Sequence, residues 1–398
     1  MAHEVTDRVE ELGPQLAALA EKNEQLGKLS DESVGLLRSA GVMRLLQPAK
    51  HGGYEAHPRD FAEAVMAVAR HDGAAGWVSG VVGVHPWEVG QMDPRLAQEI
   101  WGDSGHGQDT WIASPYMPNG IAEPVEGGYR LSGRWPFSSG TDHCDWVFLG
   151  ALVGDGKGQG KPAQPIQVLH VVLPRADYEI VDDSWDVIGL SGTGSKDVVV
   201  TDAFIPDYRT VDQEDIKSQA AAERHGATGT LHKLPFTTMF PLGITAAVIG
   251  ICEGALAAHL AWQKDRVAVT GVQVRDDPYA LYATGEAASE IAASRVQLID
   301  GVSRLYERLD AGEEVSVEDR TRIRRNQVRC AWRAVAALDE IFARSGGNVI
   351  RRDNPIQRLW RDAHVGLQHM IHVPGATYHA NTLASMGLEV PSPMQALI

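Results

Sequence analysis

The chain has 398 residues, 44% of them apolar, with 41 glycines, three cysteines and a formal net charge of −16 at pH 7. A chain of this size and composition can bury a core divided into two or three packed units. Its acidity excludes nucleic acid and anionic membrane as partners, because phosphate binding needs a clustered basic face.

Cys144, Cys252 and Cys330 lie far apart and form no CxxC pair, so no disulfide framework is expected. Neither a run of roughly 18 apolar residues nor an apolar leader is present, which predicts a cytoplasmic protein without a membrane span.

In chain order, residues 1–108 read as a helical domain. Val9, Leu12, Leu16 and Leu19 recur at three-to-four spacing, Ser30 is placed to cap a second helix, and a third should start after Pro58 and run through Phe61, Val65 and Val68. Residues 109–225 change character. Short β-branched and aromatic runs (GYRLSGRWPF, DWVFLGALV, IQVLHVVLP, KDVVVTDAFIP) alternate with Gly, Pro and Asp, which predicts a central antiparallel β domain. The glycines of 154–162, GDGKGQGKP, match neither phosphate-binding spacing and are followed by a strand, so a hairpin loop is expected there.

Residues 226–398 return to the helical period, with helices expected at 242–268, 278–311, 316–344 and 355–371, the lengths of a four-helix bundle. The fold class is therefore mainly α with a central antiparallel β domain. The absence of strand and helix alternation excludes a doubly wound nucleotide fold.

The segment WRDAHVGLQHMIH crowds His364, His369 and His372 together. On one continuous helix, His364 and His369 would be about 140° apart and His369 and His372 about 60° apart, so the three do not converge on a metal. A single histidine acting as acid, base or hydrogen-bond donor is the simpler expectation, and His364 and His372 receive no role. Asp362 beside Arg361 reads as a buried structural pair, although an aspartate near His369 could also orient its ring. Ser138, Ser139 and Gly140 sit at a strand end, where backbone amides and hydroxyls can donate to a polar ring or an oxyanion.

Three stretches, GYRLSGRWPFSSG, VIGLSGTGSKDVVVTDAFIP and SGGNVIRRDNPIQRLWRDA, resemble in order and spacing the motifs of the acyl-CoA dehydrogenase superfamily. The resemblance covers essentially the whole chain. It implies an acyl-CoA dehydrogenase-like fold that ends in a four-helix bundle and assembles as a homo-oligomer, usually a tetramer. In the dehydrogenases a glutamate takes the α-proton of the thioester, and that position falls here on Met370, a thioether that cannot accept a proton. His369 stands one place earlier, where the flavin-dependent monooxygenases of the superfamily carry a histidine facing the flavin.

The segments GAAGWVSGVVGVHPW, SPYMPNG, KDRV and PIQRLWRDAH look particularly like the hydroxylases of seco-steroid phenols. The resemblance implies an oxygenase component that ortho-hydroxylates a phenol through a C4a-hydroperoxyflavin. Its cofactor would be reduced FMN or FAD, loosely held and supplied by a separate reductase, with O2 as co-substrate. No Rossmann motif for a nicotinamide is present, in keeping with that supply.

On this reading Ser139 and Ser138 hold the flavin N5 and O4 edge, while Trp77, Ser114 and Tyr116 line the ring. Arg266 reaches the flavin phosphate across a subunit boundary, and Gly346 and Gly347 let backbone approach the flavin. His369 and His85 are both candidates for the acid or base, and segment 232–243 for the pocket wall. The competing expectations are a dehydrogenase with a relocated base, an N- or S-oxygenating monooxygenase of the same fold, and a scaffold that has lost its cofactor.

Overall fold

The computed structural model, which describes residues 2–102, 106–158, 160–395 and 398, opens with six helices. They are α1 (Glu4–Leu26), α2 (Asp31–Ala40), α3 (Pro58–His71), α4 (Gly73–Val82), α5 (His85–Val89) and α6 (Pro94–Trp101). Ser30 caps α2, its hydroxyl accepting from the Ser33 amide, and α3 starts on Pro58 as expected. Helix α4 begins on Asp72, whose carboxylate accepts from the Ala74 and Ala75 amides. That cap fixes the start of the helix carrying Trp77.

Eight strands follow: β1 (Ile112–Ala113), β2 (Pro118–Val125), β3 (Gly128–Ser138), β4 (Trp146–Val153), β5 (Val168–Pro174), β6 (Glu179–Val181), β7 (Lys196–Pro206) and β8 (Thr210–Asp212). They form one sheet in the order β6-β7-β3-β2-β4-β5-β8, with β1 beside β4. The sheet is mostly antiparallel, as the sequence predicts, but β4 pairs in parallel with both β1 and β2. Gly154 and Pro162 bridge the loop between β4 and β5, confirming a hairpin there.

The pairing of β3 with β7 slips between Trp135 and Ser138, and Phe137 within the slip has φ +67°. A bulge of this kind bends the strand and re-aims its last side chains. It delivers Ser138 and Ser139 to the site and leaves the Phe137 ring 66% exposed.

After the short helices α7 (Gln213–Lys217) and α8 (Ala220–His225) come α9 (Phe236–Lys264), α10 (Pro278–Asp310), α11 (Val317–Arg344), α12 (Pro355–Leu367), α13 (Pro374–Ser385) and α14 (Ser392–Gln395). The first four of these long segments are the expected bundle, and α13 adds a further helix against α11.

Helix α9 is long and apolar enough to cross a membrane, yet 83% of its apolar window is buried within the fold. It packs against α3, α4, α11 and α12. The approach to α4 is close because a Cβ on Gly80 would lie 2.5 Å from the Gly243 carbonyl oxygen. Only glycine at this crossing lets the two backbones meet.

The sequence-based expectation for the last helix fails in an informative way. Helix α12 stops at Leu367, and His369 to His372 form a separate 3-10 turn. The ring of His372 explains the stop: its Nδ1–H donates to the Gly366 carbonyl at 3.1 Å, and its Nε2 meets the Thr245 hydroxyl at 3.2 Å. The Gly366 carbonyl, which also accepts from the His369 amide at 3.4 Å, thereby gains a second and shorter donor at the helix end. The angular test of the three histidines assumed a continuous helix and so did not describe His369 or His372.

Candidate active site

Helix α4, the end of β3, helix α9 and the turn after α12 meet at one place. The Trp77 indole N–H donates to the Ser139 hydroxyl oxygen at 3.3 Å, and Gly366 leaves room for the Trp77 ring. From Trp77 the rings follow one another: His369 at 6.0 Å between centroids, Phe240 at 6.2 Å from His369, Tyr116 at 5.0 Å from Phe240, and His85 at 5.3 Å from Tyr116. Phe236 stacks on Phe240 at 5.6 Å, so the expected wall segment 232–243 contributes two rings. Tyr116 thus stands beside His85, and Ser114 is buried just ahead of it.

His85 is wholly buried. Its Nδ1 lies 2.9 Å from the Tyr116 hydroxyl, which itself donates to Glu88 at 2.6 Å. A phenolic hydroxyl has one proton, so the Tyr116 oxygen must accept from His85 Nδ1–H. In the neutral ring Nε2 then carries a bare lone pair, and among the described residues it has no hydrogen-bond partner. Burial first, and the neighbouring His170 second, push the His85 pKa down to about 3, so the ring is neutral at pH 7.

Behind Tyr116 lies a buried Glu88–His170 contact that the sequence reading missed. Glu88 Oε1 is 2.5 Å from His170 Nδ1, and His170 Nε2 is 3.3 Å from the Gln213 amide. Both Glu88 and His170 are at most 1% exposed. Burial, then the Glu88 charge, raise the Tyr116 pKa well above its ordinary value. The hydroxyl therefore keeps its proton and stays a donor toward Glu88.

His369 has the opposite tautomer. Its Nδ1 accepts from the Ile371 amide at 3.3 Å, which leaves the proton on Nε2 in the neutral ring. Burial, and Arg324 nearby, push its pKa down to about 4. Met370, at the place of the dehydrogenase glutamate, is 57% exposed.

The other two histidines of that segment have structural partners. The His364 ring lies tilted against Trp360, with centroids 4.2 Å apart, and meets Asp339 at 3.2 Å, while His372 makes the bonds to Gly366 and Thr245 described above. Asp362 and Arg361 do not form the expected pair. Asp362 accepts from the Leu190 amide at 2.6 Å, whereas Arg361 reaches Glu24 and the Ile188 carbonyl. Burial pushes the Asp362 pKa up to about 7.

Arg266, Gly346 and Gly347 form a second group. The Arg266 guanidinium donates to the Arg344 carbonyl at 2.9 Å and lies where a Cβ of Gly346 would be, 2.1 Å from Nη2. With φ +81° as well, Gly346 is the residue this turn requires. Gly346 accordingly accommodates Arg266 within this chain.

The fit to a ring with a polar edge can be tested on these residues. The Ser138 hydroxyl is buried without a partner, His85 Nε2 likewise, and the Ser139 oxygen has a lone pair to spare. Buried polar atoms are rarely left unmatched, and a flavin edge with its phenol would match these three. Among the described residues no cluster of three or more His, Cys, Asp or Glu could hold a metal ion.

Residues 242–374 match the family described as acyl-CoA dehydrogenase, C-terminal domain. Over the whole length of both chains the protein is 49% identical to a pigment production hydroxylase of Rhodococcus erythropolis. It is 38% identical to the flavin-dependent monooxygenase, oxygenase subunit HsaA, of Rhodococcus jostii RHA1, covering 97% of this chain and 99% of that one. The crystal structure of 3-HSA hydroxylase from Rhodococcus sp. RHA1 superposes with a TM-score of 0.91 at 38% identity, covering 98% of this chain and 99% of that one.

Proposed function

The chain belongs to the flavin-dependent monooxygenases of acyl-CoA dehydrogenase fold, as an oxygenase component, and from that premise we propose that it ortho-hydroxylates a phenol whose proton leaves to His85. Reduced flavin, FMN or FAD, supplies the electrons with which dioxygen is divided between product and water, and a separate reductase replenishes it.

The chain's own residues then have distinct tasks. His85 Nε2, the bare lone pair, takes the phenol proton; the resulting phenolate has the higher electron density at its ortho carbon that an electrophilic oxygen needs. His369 Nε2–H donates a hydrogen bond from the opposite side, toward the oxygen being transferred. Two histidines of opposite tautomer in one site divide acceptor and donor work between them. Ser139 and Ser138 hold the polar edge of the flavin, Trp77 lies against it, and Phe236, Phe240 and Tyr116 wall the substrate and keep water away.

Arg266, on its glycine turn, takes the flavin phosphate of a neighbouring subunit in this reading. A homo-oligomer is supported by the apolar stretch around it, since Leu260, Trp262, Val267, Val269, Tyr279 and Tyr282 are all exposed and a patch of this kind marks an interface. The three cysteines are free and buried, in keeping with the reducing cytoplasm. Seco-steroid phenols are the first substrates to screen.

The observation that carries this reading is the buried, unpartnered Nε2 of His85, with its tautomer set by Tyr116. His85→Ala should still bind reduced flavin and consume oxygen, but release hydrogen peroxide in place of hydroxylated phenol. Full hydroxylation by the variant would refute the assignment.

A further inference from the structure

The serine at the end of β3 belongs to a file of hydroxyls whose direction can be worked out. Ser139 Oγ lies 2.7 Å from Ser195 Oγ, Ser195 Oγ lies 2.7 Å from Thr193 Oγ1, and Thr193 Oγ1 lies 2.7 Å from the Leu190 carbonyl oxygen. Each hydroxyl has one proton and the carbonyl has none. Thr193 must therefore donate to Leu190, Ser195 to Thr193, and Ser139 to Ser195. Trp77, whose indole can only donate, directs its N–H at the Ser139 oxygen from the other side. Ser139 consequently presents a lone pair to the site and has no proton left to offer.

The far end of the file is anchored. Leu190 is held in the left-handed region at φ +54°, its N–H is taken by Asp362 at 2.6 Å, and the Thr193 carbonyl accepts from the Gly140 amide at 2.8 Å. Ser139, Ser195 and Thr193 are each at most 4% exposed. Reversing the file would take the Thr193 hydroxyl proton, at 2.7 Å the shorter of two donors, away from the Leu190 carbonyl and leave it only the Thr193 N–H at 3.1 Å, a net loss of one buried hydrogen bond.

We propose that Ser195 and Thr193 are positioning residues that fix Ser139 as an acceptor, and that this polarity lets the protein distinguish reduced from oxidised flavin. Reduced flavin has a hydrogen on N5, which an acceptor satisfies. Oxidised flavin has a bare lone pair on N5, which would face the Ser139 lone pair with neither group satisfied. The file retains the reduced form and lets the oxidised form leave for the reductase. This inference rests on the reading that Ser139 faces the flavin edge.

The test is the pair of dissociation constants for oxidised FMN and for chemically reduced FMN under anaerobic conditions, in wild type, Ser195→Ala and Thr193→Val. Either variant frees the Ser139 proton to turn toward the site. Oxidised FMN should then bind on the order of tenfold tighter, the worth of one hydrogen bond, while reduced FMN changes by no more than about twofold. The midpoint potential of the bound flavin should rise in wild type and return toward the free value in the variants. A ratio of the two constants that stays at the wild-type value in both folded variants overturns the proposal. Equal weakening of both flavins in both variants also overturns it, since that is the mark of a merely structural role. A wild type that binds no reduced flavin removes the premise itself, and the reading of the site fails with it.

Discussion

Tyr116→Phe removes one oxygen and leaves the ring in place, so it tests the chain of protons behind His85. Two bonds are lost, His85 Nδ1–H to Tyr116 at 2.9 Å and Tyr116 to Glu88 at 2.6 Å. The second involves a buried carboxylate and is worth about 2 kcal/mol; the first leaves an imidazole N–H unmatched at about 1 kcal/mol. Destabilisation of about 3 kcal/mol is expected, read as a fall in Tm of several degrees. For catalysis, the proton of His85 is no longer tied to Nδ1, so Nε2 spends much of its time protonated and unable to accept. Single-turnover hydroxylation of an ordinary phenol should fall on the order of tenfold, the low end of what a general base contributes. Reduced-flavin affinity should change little, because phenylalanine keeps the ring and the lost hydroxyl faces His85 and Glu88. The decisive comparison is a phenol acidic enough to be ionised already at the assay pH, for which the variant should match wild type on the same substrate. An equal loss on both phenols would refute the reasoning.

Stability should also depend on pH. His85 and His372 have folded pKa values near 3 against 6.5 when free, so the unfolded chain binds more protons between those values. Stability contributed by keeping these rings neutral is complete above about 6.5 and is lost as pH falls toward 3, which a series of Tm measurements can follow. Asp362 has the opposite sign: its folded pKa of about 7 lies above 3.8, so its contribution is lost as pH rises between those values, and Asp362→Asn should steepen the net rise of Tm with pH across that window. His372→Ala removes the buried ring's bonds to the Gly366 carbonyl and the Thr245 hydroxyl and should lower stability by about 1–3 kcal/mol in denaturant titrations. Gly346→Ala puts a methyl where Arg266 lies and strains a φ of +81°; weaker binding of reduced FMN is expected, with riboflavin, which has no phosphate, affected less.

The order of helix, sheet and helix was legible because each segment keeps one hydrophobic period over many residues, as in α10 and α11. The end of α12 was not. Gly366 lies inside the last turn rather than after it, and the helix stops where a ring five residues beyond Leu367 reaches back to that glycine while Thr245, far off in sequence, holds its other nitrogen. The motif residues Trp77, Ser139, His85 and His369 could be named from resemblance, and the fold brings them into one row.

Glu88 and His170 escaped notice because their pairing spans 82 positions. A glutamate inside HPWEVG and a histidine in the middle of a β-branched strand were the only signs. Ser195 and Thr193 were quoted within GLSGTGS, yet their purpose depends on the bulge at Phe137, which brings Ser139 within 2.7 Å of Ser195. Register shifts of that kind leave little trace in residue order.

The most direct test of the central claim is to load the purified protein anaerobically with reduced flavin, mix it with isotopically labelled dioxygen and a phenol, and weigh the product. One labelled oxygen atom on the ring carbon ortho to the hydroxyl, in wild type and not in His85→Ala, is the predicted result. Unlabelled product, label at nitrogen or sulfur of a competing substrate only, or equal labelling by His85→Ala would contradict it.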